Sequence, residues 1–334
     1  MILAGAPARA SHTDGFGAVA VSVEGLRKAY GATVAVDGIS FAVARGEVFG
    51  LLGPNGAGKT TTVEILEGLR RADAGRVTVC GLDPASAGAA LKERIGIALQ
   101  HSALYPKLRV REVLRLFGAF YARAVPPDDL IALVDLGEKR NGLVKDLSGG
   151  QRQRLAIALA LVHDPEVVFL DEPSAGLDPQ ARRGMWDVVA RLRAAGKTVL
   201  LTTHYMEEAE HLCDRVAIID HGRIIALDRP EALVDHYLPD ETIVFEADAM
   251  PDLAALRALP AVVDATVTAA ADRPGQPGQP DRWTVALRSS DTPASLRALL
   301  DEADGRAPAP RGLRVERANL EDVFLLLTGR RIRA

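Results

Sequence analysis

The densest chemistry in the sequence lies at Gly53-Pro54-Asn55-Gly56-Ala57-Gly58-Lys59-Thr60-Thr61, which closes the apolar run VFGLL and opens the helical stretch TTTVEILEGL. Glycines at this spacing let consecutive backbone N–H groups point inward, and the helix N-terminus adds positive potential. A lysine followed by a hydroxyl completes a phosphate cradle: Lys59 reaches the β- and γ-phosphates and Thr60 offers an oxygen to Mg²⁺. A second candidate is VVFLDE (167–172), which puts Asp171 and Glu172 at the C-terminal end of a buried strand, where an open parallel sheet collects its ligands. Adjacent carboxylates there divide the labour. Asp171 would hold Mg²⁺, directly or through water, while Glu172 would orient and deprotonate an attacking water. The third is Leu147-Ser148-Gly149-Gly150-Gln151 at the head of the helical run QRQRLAIALALV. Ser148 with Gln151 three residues on is a capping box, and a helix N-terminus fronted by two glycines and a hydroxyl is also an anion site.

These residues need a scaffold that gathers strand ends. VVFLD is followed by a helical segment over 179–195, with Asp178 as N-cap, Pro179 at the first helical position and Gly196 as the stop, and then by TVLLTT (198–203). Strand, helix, strand of this kind predicts a parallel sheet in an α/β domain. From Val21 the runs VAVSVEGL and ISFAV predict half-buried strands ahead of the fully buried VFGLLG. Mostly helical spacing over about 95–165, including VREVLRLFGAFYA, predicts a helical subdomain beside the sheet. After His236 the segments TIVFEA, DLAALRAL, VVDATVT, WTVALRS, SLRALLDEA and LRVERA read β-α-β-β-α-β, with RPGQPGQP (273–280) joining the middle strands and LEDVFLLL as a last helix. The expectation is a loose tail over 1–20, a nucleotide-binding domain over 21–238 and a small ferredoxin-like α+β accessory domain over 240–334.

Composition narrows the classes. The 334 residues suffice for two domains, and 48% hydrophobic with 25% charged residues is a globular balance. With 40 Lys and Arg against 44 Asp and Glu, the net charge of −4 provides no basic field, so no nucleic acid is expected as partner. Cys80 and Cys213 stand far apart without CxxC spacing, which indicates neither a disulfide framework nor a thiolate zinc site, and the chain reads as intracellular. The longest apolar stretch, Leu155 to Val162, is far short of the roughly 20 residues a membrane-spanning helix needs. The N-terminal residues lack the pattern of a secretory signal. Two further signals are declined. Asp301-Glu302-Ala303-Asp304 spells a helicase-like box but closes a helical run, and His204, Glu207, Glu208 and His211 lack His-Glu zinc spacing, so they read as one functional histidine beside a helix surface.

The order phosphate loop, Gln100, LSGGQ, VVFLDE, SAGLDP, His204 resembles an ATP-binding cassette (ABC) ATPase over roughly residues 21–235, and LSGGQ is that family's signature. The resemblance implies a P-loop NTPase of ABC type, α/β with a RecA-like sheet, an antiparallel β part and a helical subdomain. It implies that Tyr30, in LRKAYG, stacks on adenine. Gln100 corresponds to the glutamine that senses Mg²⁺ or the attacking water, Asp178 falls in the loop of the dimer contact, and His204 matches the switch histidine at the γ-phosphate. The catalytic set is then Lys59, Gln100, Glu172 and His204, with Thr60, Gln100 and Asp171 toward Mg²⁺. ATP would lie between the phosphate loop of one chain and Ser148 to Gln151 of a second, so a homodimer or a paired homologue is implied. The ending LEDVFLLLTGRR resembles the ATPase subunits of bacterial antibiotic and multidrug exporters of the daunorubicin-resistance type. That implies an ATP-hydrolysing subunit that energises export of a drug, antibiotic or similar compound through a separate integral-membrane permease. The permease would dock near Gln100 to Tyr121, around Leu104, Tyr105 and Leu108, which puts the chain peripherally on the cytoplasmic side of the membrane. The alternative is a soluble ABC ATPase acting on nucleic acid or ribosomes; such relatives carry two cassettes or long coiled-coil insertions, and neither is visible here.

Overall fold

The computed structural model describes residues 18–99, 104–269, 282–303 and 310–329. In chain order the elements are β1 (Val19–Tyr30), β2 (Thr33–Ala44), β3 (Val48–Leu52), α1 (Lys59–Leu66), β4 (Ala74–Val79), α2 (Ala89–Lys92), β5 (Ile95–Ala98), α3 (Val110–Gly118), α4 (Pro127–Leu133), α5 (Gly149–Ala160), β6 (Val167–Asp171), α6 (Pro179–Ala194), β7 (Thr198–Thr203), α7 (Met206–Leu212), β8 (Arg215–Asp220) and β9 (Arg223–Asp228). They belong to the first of two compact units. A six-stranded sheet runs β5-β6-β7-β3-β8-β9, parallel except for β9, and a three-stranded antiparallel sheet runs β2-β1-β4. One buried cluster joins residues of both sheets, including Leu26, Phe41, Phe49, Leu51, Phe169 and Leu200, with Phe41 and Phe49 stacked at 5.2 Å between ring centroids. Strands β3 and β7 are buried at every residue, as strands covered on both faces must be.

The second unit spans Glu231–Leu326. After α8 (Pro230–Tyr237) come β10 (Glu241–Ala247), α9 (Leu253–Arg257), β11 (Val262–Ala269), β12 (Trp283–Ser289), α10 (Thr292–Ala303), β13 (Arg311–Glu316) and α11 (Leu320–Thr328). The sheet order β11-β12-β10-β13, antiparallel throughout, is the ferredoxin-like arrangement in which the first strand and the third lie side by side. Alternate residues of β10 and β12, namely Ile243, Phe245, Val285 and Leu287, turn to one face and pack with Leu256 of α9 and Leu299 of α10. Leu320, Val323 and Phe324 form the buried stripe of α11.

Three boundaries differ from those expected. β1 begins at Val19, which pairs with Ala44, so the last residues assigned to a tail are part of a sheet. Ile95–Ala98 is a strand at the sheet edge, not the start of the helical subdomain, whose long helices begin at Val110; four residues are too few to display a strand period. The second unit starts at Glu231, ahead of 238–240, because α8 belongs with it: Arg317 donates to Asp235. Gln100, the 273–280 linker and Asp304 lie outside the described residues.

Candidate active site

The phosphate loop is held by contacts that only glycine permits. Gly58 precedes α1 at φ +106°, and a Cβ there would lie 2.3 Å from the Ala35 carbonyl oxygen of β2. At Gly53, a Cβ would lie 2.2 Å from the Ile219 carbonyl oxygen of β8. The loop is therefore clamped between both sheets while its N–H groups and the start of α1 remain available to an anion. Lys59, buried, donates from Nζ to the Gly53 carbonyl at 2.7 Å and the Pro54 carbonyl at 3.2 Å, and sits 3.9 Å from Glu172 Oε1. Burial lowers its pKa, and the charges of Glu172 and Asp171 partly oppose that shift. Asn55, Gly56 and Thr60 are exposed, Ala57 is buried, and Pro54 and Thr61 lie between.

β6 and β7 deliver the carboxylates. Thr202 donates from Oγ1 to Asp171 Oδ1 at 2.5 Å, and the Glu172 amide reaches Thr202 Oγ1 at 3.0 Å and the Thr202 carbonyl at 3.1 Å. Glu172 adopts φ +46°, the left-handed region, a strained choice for a non-glycine residue and one that collects at functional sites. Its Oε2 lies 3.3 Å from His204 Nδ1 without the alignment of a hydrogen bond. Lys59, Asp171, Glu172 and His204 therefore meet at the C-terminal ends of β3, β6 and β7, adjacent strands of the parallel sheet. The Thr60 hydroxyl and the Asp171 carboxylate are hard oxygen donors of the kind Mg²⁺ takes, so the residues fit that ion.

The signature residues go elsewhere. Ser148 caps α5: it accepts from the Gln151 amide at 3.3 Å, and Gln151 Oε1 accepts from the Ser148 amide at 3.0 Å. Ser148 and Gly149 are exposed, and a Cβ at Gly150 would lie 2.9 Å from Ala181 Cβ, so α5 presses close on the head of α6. Asp178 caps α6 by accepting from the Ala181 amide at 2.9 Å. Tyr30, 41% exposed, ends β1 with the Arg70 guanidinium 5.2 Å and the Lys28 ammonium 5.6 Å from its ring centroid.

Some residues escaped the sequence reading. Thr202 is next to last in β7 and belongs to no motif. Glu208, taken as helix surface, is wholly buried; its place beside the Met206, Ala209, Leu212 stripe was the available signal. Glu207 is exposed, and His211 lies 4.8 Å from the Trp186 ring, so these two do not join it.

Comparison with known proteins bears on both units. Residues 36–175 match the ABC transporter family. The chain is 41% identical over 321 residues to the Nod factor export ATP-binding protein I of Ralstonia nicotianae, covering 94% of this chain and 95% of the relative. It belongs to the ABC transporter ATPases. The corresponding protein of Burkholderia orbicola is 42% identical over 316 residues, 93% of this chain and 97% of its own. Among solved structures, cbiO1 from Clostridium perfringens, part of an ABC transporter complex, superposes with a TM-score of 0.60 at 29% identity, over 66% of this chain and 96% of that one. A dimeric ATP-binding cassette in a post-hydrolysis state, bound to ADP and Pi, gives 0.56 at 25% identity, over 63% and 98%. As an ABC ATPase, this chain binds and hydrolyses ATP in the service of a transporter, and among the described residues no helix is long and apolar enough to cross a membrane.

Proposed function

We propose that this ATPase drives export through a separate membrane permease, working as a head-to-tail pair of cassettes. The observation that carries the catalytic part is the meeting of Lys59, Asp171, Glu172 and His204 at neighbouring strand ends. Water bound beside Glu172 gives up a proton to the carboxylate as its oxygen bonds to the γ-phosphorus. The bond to the β–γ bridging oxygen breaks, and ADP and phosphate leave. Lys59 exchanges its loop carbonyls for phosphate oxygens, and with the loop amides offsets charge on the transferring group. His204 contacts the γ-phosphate, Tyr30 stacks on adenine, and Gln100 senses Mg²⁺ or the attacking water. Mg²⁺, held by Thr60 and Asp171, would neutralise charge on the phosphates. Exposed Ser148 and Gly149 suit a γ-phosphate bound to a second copy, and Asp178 stands beside them for the dimer contact.

Relatives named for export align through both units, and this supports export over a role on nucleic acid or ribosomes. For the permease we assign the helical subdomain, where Tyr105 and Phe120 are exposed and an edge-to-face series runs Tyr105, Phe117, Phe120 at 6.4 and 6.1 Å, near Leu104 and Leu108. An exposed aromatic cluster of this kind suits an apolar helix of a partner. By resemblance of the C-terminal ending, the exported compound is a drug, an antibiotic or a similar compound.

Affinity purification from native membranes in mild detergent, with mass spectrometry of what co-purifies, tests this. A multi-helix membrane protein that crosslinks to Tyr105 or Phe120 is expected. Ribosomes or nucleic acid without a membrane protein would overturn the export reading, and crosslinks confined to other surfaces would overturn the docking site.

A further inference from the structure

Behind the contact between Glu172 and His204 runs a second link between the same two segments. Ser174 lies two residues beyond Glu172, Glu208 four beyond His204, and both are wholly buried. Ser174 donates from Oγ to Glu208 Oε1, while Oε2 of Glu208 is buried without a hydrogen-bond partner. Desolvation raises the pKa of Glu208; the hydroxyls of Ser174 and Thr203 and the charges of Arg182 and His204 oppose it. A carboxyl out of water is costly, and an apolar residue would pack α7 at lower cost, as Met206, Ala209 and Leu212 do on the same helix. Packing alone therefore does not account for an acid at this position.

The strain at Glu172 supplies the reason. A left-handed residue at φ +46° persists only where its surroundings over-determine it. From β7, Thr202 holds the Glu172 amide. On the other side, the Ala175 amide donates to the Glu172 carbonyl at 3.1 Å and the Leu177 amide to the Ser174 carbonyl at 3.3 Å, so the loop turns about Ser174. The bond from Ser174 to Glu208 pins that turn to the helix that follows His204.

We infer that Glu208 is a positioning residue of the active site: through Ser174 it sets the placement of Glu172 relative to His204. This rests on the proposed roles of Glu172 as base and His204 at the γ-phosphate. The acid is wholly buried behind the site. Its effect is on geometry, and misplacement on the ångström scale is enough to cost about a hundredfold in rate.

The test measures turnover, KM for ATP and thermal unfolding of the full chain for Ser174→Ala, Glu208→Ala and Glu208→Gln, with Glu172→Gln and His204→Ala alongside. Ser174→Ala removes one oxygen, so it keeps the test available if Glu208→Ala fails to fold. The expected result is a kcat lowered by about a hundredfold in Ser174→Ala and Glu208→Ala with KM nearly unchanged. Glu208→Gln, which still accepts from Ser174, should recover kcat to within about tenfold of the parent. Loss of unfolding temperature with kcat intact would reduce the pair to a structural role and overturn the inference, even while Glu172→Gln and His204→Ala abolish turnover. If those two retain turnover, the reading on which the inference rests is itself overturned.

Discussion

The two units of this chain bury different things. In the cassette, the ionisable side chains Glu47, Lys59, Glu67 and Glu208 lie out of water, as do Thr62, Ser174, Thr202 and Thr203. In the second unit, the buried polar side chains among the described residues are hydroxyls alone: Ser289, Thr292 and Ser295. All three are satisfied there, with Ser289 and Ser295 bonded at 2.8 Å, Ser295 donating to the Pro260 carbonyl at 2.7 Å and Thr292 donating to Glu241 at 2.6 Å. A sheet with helices on its apolar face needs no buried charge to fold, as the core of Ile243, Phe245, Val285 and Leu287 demonstrates. The buried acids and Lys59 of the cassette are therefore not accounted for by packing alone. Lys59 stands at the C-terminal strand ends, where each fixed charge acts more strongly than in water, whereas Glu47 lies at the opposite end of the sheet, accepting from the Ala44 amide and paired with Arg215.

That contrast is breakable. Its largest expected consequence is that Glu172→Gln lowers ATP turnover by about 10²- to 10⁴-fold, as measured by phosphate release, while ATP still binds and the second unit resists proteolysis as before. Retained turnover would mean that Glu172 is not the base and that the charges at these strand ends serve another purpose. Next, Phe245→Ala in the second unit should cost about 3–5 kcal/mol of that unit's stability, seen as faster cleavage within 241–326, with ATP affinity unchanged. A drop in ATP affinity would show that the units are not separable in function.

The third effect is a slope. Glu67 closes α1, is buried with Oε1 unpartnered, and has its pKa raised to about 8 by burial first and then by the charges of Asp171 and Glu64. An unfolded chain ionises this carboxyl near 4.5. Between those values the folded state holds a proton the unfolded state has lost, so its contribution to stability falls as pH rises, by about 1.4 kcal/mol per pH unit, and is gone above about 8. Glu67→Gln keeps the neutral form at all pH. Urea melts at pH 5, 6.5 and 8 should show the parent losing stability relative to this variant across the series, and parallel curves would place Glu67 in contact with water.

Local features were legible in the sequence to within a residue or two. Asp178, Pro179 and Gly196 framed a helix over 179–195, and it runs Pro179–Ala194 with Asp178 as its cap. Ser148 and Gln151 were readable as a capping box, and both of its bonds are formed. Each such feature is set by groups three or four residues apart, so the spacing alone specifies the contact. Boundaries failed where spacing was silent, as at Ile95–Ala98, too short to show a period, and at Pro230, where a helix belongs to the unit that follows it.

Within the site, the identities Lys59, Asp171, Glu172 and His204 came from motifs, but their state did not. The strain at Glu172, the hold of Thr202 on Asp171, the Arg70 guanidinium beside Tyr30 and the bond from Ser174 to Glu208 have no sequence signature, because each partner comes from a segment remote in the chain. By itself the sequence determined which residues are candidates for the chemistry and where their helices and strands end, since caps, turns and glycine loops are local physics. Only the tertiary structure decided which carboxyls lie out of water, which backbone is strained and which side chains meet. Desolvation and close approach depend on the packing of β3, β6 and β7 side by side, and strand order is written in no single stretch of residues.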